Sequence, residues 1–172
     1  PRRKSLLAQL GYQFITQAAD IDESVNNNEN ANDYVLRLAQ EKAAAVFSTL
    51  PSAQQAQTVV IGSDTSVVID GNILGKPVDE ADCIAMLMRL ENTSHQVLTA
   101  IAINTLDKNN QINVVSQLIA TQVQFKPLTV DEIKRYWQSA MKFNNRLMIF
   151  IAHVMGNSTI LQHIKTFYQK QG

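Results

Sequence analysis

Val59-Val60-Ile61-Gly62-Ser63-Asp64-Thr65-Ser66-Val67-Val68-Ile69, followed by Asp70-Gly71 and Leu74-Gly75-Lys76-Pro77, is the stretch whose reading decides the fold. Val and Ile suit a pleated, half-buried surface, and Asp-Gly is a strong short-range hairpin signal. Two apolar runs thus flank a carboxylate on a small-residue corner, where Gly62 and Ser63 leave room for another group to approach the backbone. The stretch predicts a strand that delivers Asp64 to an edge and a hairpin that brings Lys76 back beside it. Taken alone, these residues are more economically an acid capping a strand end and a solvated turn lysine. The residues found elsewhere in the chain shift that balance.

A length of 172 residues fits one domain with a sizeable core. Hydrophobic residues make up 45% and charged residues 17%, as in an ordinary globular protein, and 15 basic residues balance 15 acidic ones. No global charge argues for nucleic acid or an anionic membrane as partner. Cys83 is the single cysteine, so an internal disulfide is impossible; its helical surroundings suit a small core residue better than a nucleophile. The longest uncharged apolar run, Leu147 to Met155, falls far short of the ~20 residues needed to span a bilayer. The expectation is a soluble, cytoplasmic protein.

Outward from the central strands, Pro1-Arg2-Arg3-Lys4 opens a helix with Leu6, Leu7 and Leu10 on one face and Gly11 as its stop. Cations in a first turn oppose the helix dipole, so either local preference is overruled or the site expects an anion. Tyr12 to Thr16 reads as a short strand, and Asp20, Asp22 and Glu23 cluster on the loop that follows. Such clusters are usually solvated, but they also hold divalent cations beside phosphate. A helix from about Asn32 turns Tyr34, Val35, Leu38, Ala39, Ala43 and Val46 to one side, with Arg37, Glu41 and Lys42 elsewhere.

Beyond the hairpin, Asp79 caps a helix to about Leu90 with Ala81, Ile84, Ala85, Leu87 and Met88 inward. His95 to Ile103 and Ile112 to Phe125 form a hairpin about Asp107-Lys108-Asn109-Asn110, and Thr129 to Glu132 is a capping box for a helix carrying Ile133, Tyr136 and Trp137. His95 has no metal-ligating neighbour and reads as a hydrogen-bonded structural residue. No zinc site, nucleophilic triad, phosphate-binding loop or dinucleotide fingerprint is legible. In the tail, Ser158 can cap a helix, and Leu147 to Val154 can be a buried segment.

In order, Pro1-Arg2-Arg3, Ile21-Asp22-Glu23-Ser24, Tyr34 to Ala43, Gly62-Ser63-Asp64-Thr65, Leu74-Gly75-Lys76-Pro77, His95 to Ala100 and Phe125 to Thr129 resemble the Maf family of nucleoside triphosphate pyrophosphatases. The resemblance covers roughly residues 1–138. It implies a Maf/ITPase-like α/β fold, an elongated mixed central sheet flanked by helices, two-lobed with a nucleotide cleft. It also implies hydrolysis of a triphosphate to the monophosphate and pyrophosphate with a divalent cation, magnesium or manganese. By resemblance Asp64 is the catalytic residue and a metal ligand, Glu23 is the second metal carboxylate, and Arg3, Lys42 and Lys76 bind the phosphates. Arg2 and Thr65 match the branch that acts on dTTP and UTP, where a sister branch acting on 7-methyl-GTP has a large aromatic and a glutamine. Removal of non-canonical nucleotides, a looser link to septum formation, and homodimers are further family traits.

The family usually has a strand and a Ser-rich loop ahead of its Pro-Arg-Arg, so part of the phosphate site is expected to be missing from this sequence. Glu91-Asn92 stands in place of a Ser-Gly turn, and after Ser139 the motifs of the family's last segment, including the glutamine that completes base recognition, find no counterpart. Residues 140–172 therefore read as a divergent tail of a single Maf-like domain. Two alternatives follow: a catalytically impaired nucleotide-binding or regulatory Maf-like protein, and the same chemistry with a different base preference.

Overall fold

A computed structural model describes residues 2–142, the side chains of residues 2, 6 and 140–142 excepted. The expected tail helix capped by Ser158 and the segment Leu147 to Val154 lie outside the described residues. In chain order the elements are α1 (Arg2–Gln9), α2 (Ala31–Thr49), α3 (Ser52–Gln55), β1 (Val60–Ile69), β2 (Asn72–Leu74), α4 (Glu80–Leu90), β3 (Ser94–Leu106), β4 (Ile112–Gln124) and α5 (Val130–Lys142). The strands form one sheet in the order β2-β1-β3-β4. The α/β architecture is the expected one, and among the described residues all three ladders are antiparallel.

The central stretch is a single strand and not two runs about a corner. Asp64 lies mid-strand opposite Ala100 of β3. Its small neighbours serve close packing: at Gly62 the backbone of α2 comes so near that a Cβ would collide with the Ala39 carbonyl oxygen and sit 2.6 Å from Ala43 N. The β1–β2 hairpin forms as expected, with Asp70 (φ 51°) and Gly71 (φ 74°) both in the left-handed region that a two-residue hairpin turn demands.

Alternate residues of β1 and β3 face opposite layers. One face, with Val60, Val68, Leu98, Ala100 and Ala102, packs on Val35, Ala39, Ala43 and Phe47 of α2. The other packs Val67, Ile69 and Val97 on Cys83, Leu87 and Leu90 of α4 and Ile133 of α5. Further along that face, Ile61, Ile101 and Ile103 meet Leu7 of α1 and Leu10 just beyond its end. Gly11, at φ 80°, ends α1 as expected.

Three local expectations are corrected. Tyr12 to Thr16 is irregular, because it has no ladder partner among the described residues and a strand needs one. In α4, Asp79 caps as expected, accepting from Asp82 N. The buried face is Cys83, Leu87 and Leu90 with Met86 packed on it, while Ala81, Ala85 and Met88 are exposed. Burying larger side chains removes more apolar surface from water than burying two alanines, and that sets the phase of the helix. His95 is buried, but neither ring nitrogen finds a hydrogen-bond partner at full geometry. It is held by packing, its ring edge-on to Phe125 at 4.8 Å between centroids. Burial lowers its pKa, with the nearby Thr93 backbone opposing.

Candidate active site

The even-numbered face of β1 carries Asp64 toward α2, where Lys42 meets it. Lys42 Nζ donates to Asp64 Oδ1 at 2.7 Å and pairs with Glu23 Oε1 at 2.7 Å, so one ammonium bridges two carboxylates. Lys76 Nζ completes the row at 3.1 Å from Glu23 Oε2. The hairpin therefore does bring a lysine back, but to Glu23. The cation beside Asp64 comes from α2, because the helix crosses the sheet at Gly62, two residues from Asp64 on the same face. Exposure falls along the row, from 56% for the Lys76 side chain and 41% for Glu23 to 19% for Lys42 and 13% for Asp64. One end is open to an incoming anion and the other is shielded.

Burial by itself depresses the pKa of the Lys42 ammonium, but the hydrogen bonds to Asp64 and Glu23 overcome it and the net shift is upward. Those bonds also hold the Glu23 carboxyl below its usual range, led by Lys42 with Lys76 contributing. Ser66 Oγ lies 3.4 Å from Asp64 Oδ2.

Thr65 follows Asp64 and so lies on the opposite face of the sheet. Its hydroxyl shares a hydrogen bond with Thr99 Oγ1 at 3.1 Å and accepts from Arg3 Nη2 at 3.4 Å. Arg3 Nη1 donates to the Ser63 carbonyl at 2.8 Å. That carbonyl is within reach because β2 pairs only with Val67 to Ile69. Crowding of its head group lowers the pKa of Arg3, the Asp64 and Glu23 carboxylates oppose this, and the residue as a whole is exposed, so it remains a cation. The structure thus brings Glu23, Lys42, Asp64 and Lys76 together on one face and Arg3 and Thr65 on the other. Arg2 opens α1, and its side chain lies outside the described residues.

The carboxylates fit a hard divalent cation. Two carboxylate oxygens already converge on one cation, and oxygen donors are what magnesium and manganese prefer. Among the described residues no group of three or more His, Cys, Asp or Glu could hold a metal. Glu23 and Asp64 could supply two carboxylates, a number that suffices where substrate phosphates and water complete the ligand set.

Two residues read in the sequence only as packing and surface charge also belong here. Tyr34 Oη donates to the Glu23 carbonyl at 2.8 Å, and Arg37 forks onto Glu29 at 2.6 and 2.8 Å. The Arg37 guanidinium holds the Glu29 carboxyl at about 2, well below 4.5. A depressed carboxylate contributes stability above its unfolded pKa and loses it as pH falls through the folded value. The Arg37–Glu29 contribution is therefore expected to be complete above about pH 4.5 and lost toward pH 2. Carboxyl NMR should find Glu29 titrating near 2, and near its ordinary value in Arg37→Met.

A family model described as Maf-like protein matches residues 1–152. Among curated relatives, a dTTP/UTP pyrophosphatase of Colwellia psychrerythraea is 54% identical over 137 residues, covering 80% of this chain and 62% of its own. One of Hahella chejuensis is 48% identical over 139 residues, covering 81% of this chain and 66% of its own. One of Vibrio vulnificus is 45% identical over 139 residues, covering 81% and 70%. The chain thus spans a little under two thirds of the length of the first two of these relatives.

Proposed function

The chain belongs to the Maf family, and from that premise we propose that it hydrolyses dTTP and UTP to the monophosphate and pyrophosphate. The observation that carries this reading is Lys42 bridging Glu23 and Asp64 beside Lys76, a row of alternating charge that opens at its anion-accepting end. The relatives from three genera that are named dTTP/UTP pyrophosphatases support the choice of base in this reading.

In this reading the triphosphate enters past Lys76. Lys42 and Lys76, joined by Arg3 from the β1 edge where it holds the Ser63 carbonyl, neutralise its oxygens, which matters most as charge grows on the bridging oxygen and the departing pyrophosphate. Asp64 orients a water and takes its proton. The water oxygen bonds to the α-phosphorus while the bond from that phosphorus to the bridging oxygen breaks, so the electron pair leaves with pyrophosphate. A divalent cation held by Glu23 and Asp64 would add charge neutralisation and Lewis acidity. Lys42 would then exchange a carboxylate for a phosphate oxygen.

The test is pyrophosphate release from UTP and dTTP with magnesium or manganese, beside 7-methyl-GTP and ITP. Release from the two pyrimidines is expected to be preferred. Nucleotide binding with no release would favour the regulatory alternative. Thr65 contributes to base choice through the hydroxyl that Arg3 and Thr99 hold. Thr65→Gln should lower kcat/KM for UTP relative to 7-methyl-GTP by at least about tenfold, because a site built around one hydrogen-bonding pattern leaves groups unpaired with another. Equal losses for every base would remove residue 65 from base recognition.

A further inference from the structure

Resting on the reading of Glu23 as part of the triphosphate site, we propose that Tyr34 and Arg37 are positioning residues that dock residues 22–29 onto α2 and hold the Glu23 carboxylate in register with Lys42. The segment between α1 and α2 contains no helix or strand, and a connection of that length has no fixed path of its own. Burial does not hold Glu23 either, since its side chain is among the more exposed of the site.

Contacts to two consecutive carbonyls replace burial. Tyr34 Oη donates to the Glu23 carbonyl at 2.8 Å and Arg37 Nη2 to the Ser24 carbonyl at 2.9 Å. Arg37 also forks onto Glu29, and Glu29 Oε2 accepts from Asn26 N at 3.0 Å, which pins the far side of the loop. The guanidinium lies 5.6 Å from the Tyr34 ring centroid, so the two side chains brace each other. Within the loop, Asp22 Oδ1 accepts from Ser24 N at 2.8 Å. Tyr34, Arg37 and Lys42 all stand on one rigid helix. The path from α2 through Tyr34 to Glu23, then through Lys42 back to α2, is therefore a closed ring of contacts, and the helix sets its dimensions. An ordinary surface ion pair would do less: it would change global stability slightly and nothing at the site.

The experiment uses the whole chain and the variants Tyr34→Phe, which loses only a hydroxyl, Arg37→Met, and Arg37→Lys, which keeps charge without the fork. Amide hydrogen exchange is followed by mass spectrometry, and kcat and KM for pyrophosphate release from UTP are measured in parallel. Exchange in residues 20–30 is expected to rise about tenfold in Tyr34→Phe and more in Arg37→Met, while β1 and β3 keep wild-type protection. In Arg37→Met kcat should fall about 10- to 100-fold, as for partners that orient metal-site carboxylates, and by more than KM rises; Arg37→Lys should recover part of it. Wild-type exchange in the loop overturns the proposal, and so does a freed loop with wild-type kcat. If the wild-type chain releases no pyrophosphate, the functional reading fails instead. The exchange measurement then decides the docking alone, for it if the loop is freed and against it if not.

Discussion

Asp64→Asn should leave the protein folded and remove all but a trace of its pyrophosphate release from UTP, a loss of about 10²- to 10⁴-fold. The substitution keeps the shape of the side chain and an oxygen that Lys42 can donate to, and it leaves the β1–β3 ladder untouched at its pairing with Ala100. Lys42 also keeps Glu23, so no cation is stranded without a partner. What disappears is the group that accepts the proton of the attacking water. The check is kcat for the purified variant beside its melting temperature: turnover lost with melting retained supports the assignment. Turnover near wild type would take Asp64 out of the mechanism and leave the Lys42 bridge a structural ion pair.

The largest effect on stability is expected at Gly62. Gly62→Ala would press a methyl group against the Ala39 carbonyl and Ala43 N and place it 2.9 Å from Ala43 Cβ. These obstacles are α2 backbone and a Cβ, none of which can rotate aside. Overpacking of this kind costs about 1–3 kcal/mol or more, and each kcal/mol moves the melting temperature of a chain this size by roughly 2–4 °C. Pushing α2 from the sheet would also lengthen the Lys42–Asp64 contact, so turnover should fall with stability. Gly75→Ala is the control, because nothing lies within 4 Å of its added Cβ. Thermal melting of both variants checks this, and a Gly62→Ala melt equal to wild type would mean that α2 sits further from β1 than described.

These two residues show what could be read in the sequence. The β1–β2 hairpin was legible because β-branched runs and Asp70-Gly71 are local signals, and the β3–β4 hairpin was legible through Asp107 to Asn110 for the same reason. Asp64, Glu23, Lys42 and Lys76 could be named, by resemblance, but not arranged. Lys42 looks like a surface charge until α2 is laid across Gly62, a contact between residues far apart in the chain. Thr65 was grouped with Asp64, and the pleat that separates them is visible once the strand is known to run unbroken. Tyr34 and Arg37 look like packing and surface charge in the sequence because their partners are carbonyls and a glutamate on a loop without periodicity. The phase of α4 is not legible in the sequence because alanines count as apolar in a pattern but bury little area.

The central claim is attack at the α-phosphorus in a site centred on Asp64, and product identity tests it most directly. UTP is incubated with the chain and magnesium in heavy-oxygen water, and the products are followed by phosphorus NMR and mass spectrometry. UMP and pyrophosphate in equal amounts, with the heavy oxygen in UMP and only a trace of either product formed by Asp64→Asn, is the predicted result. UDP and orthophosphate, or label in the pyrophosphate, would contradict the account.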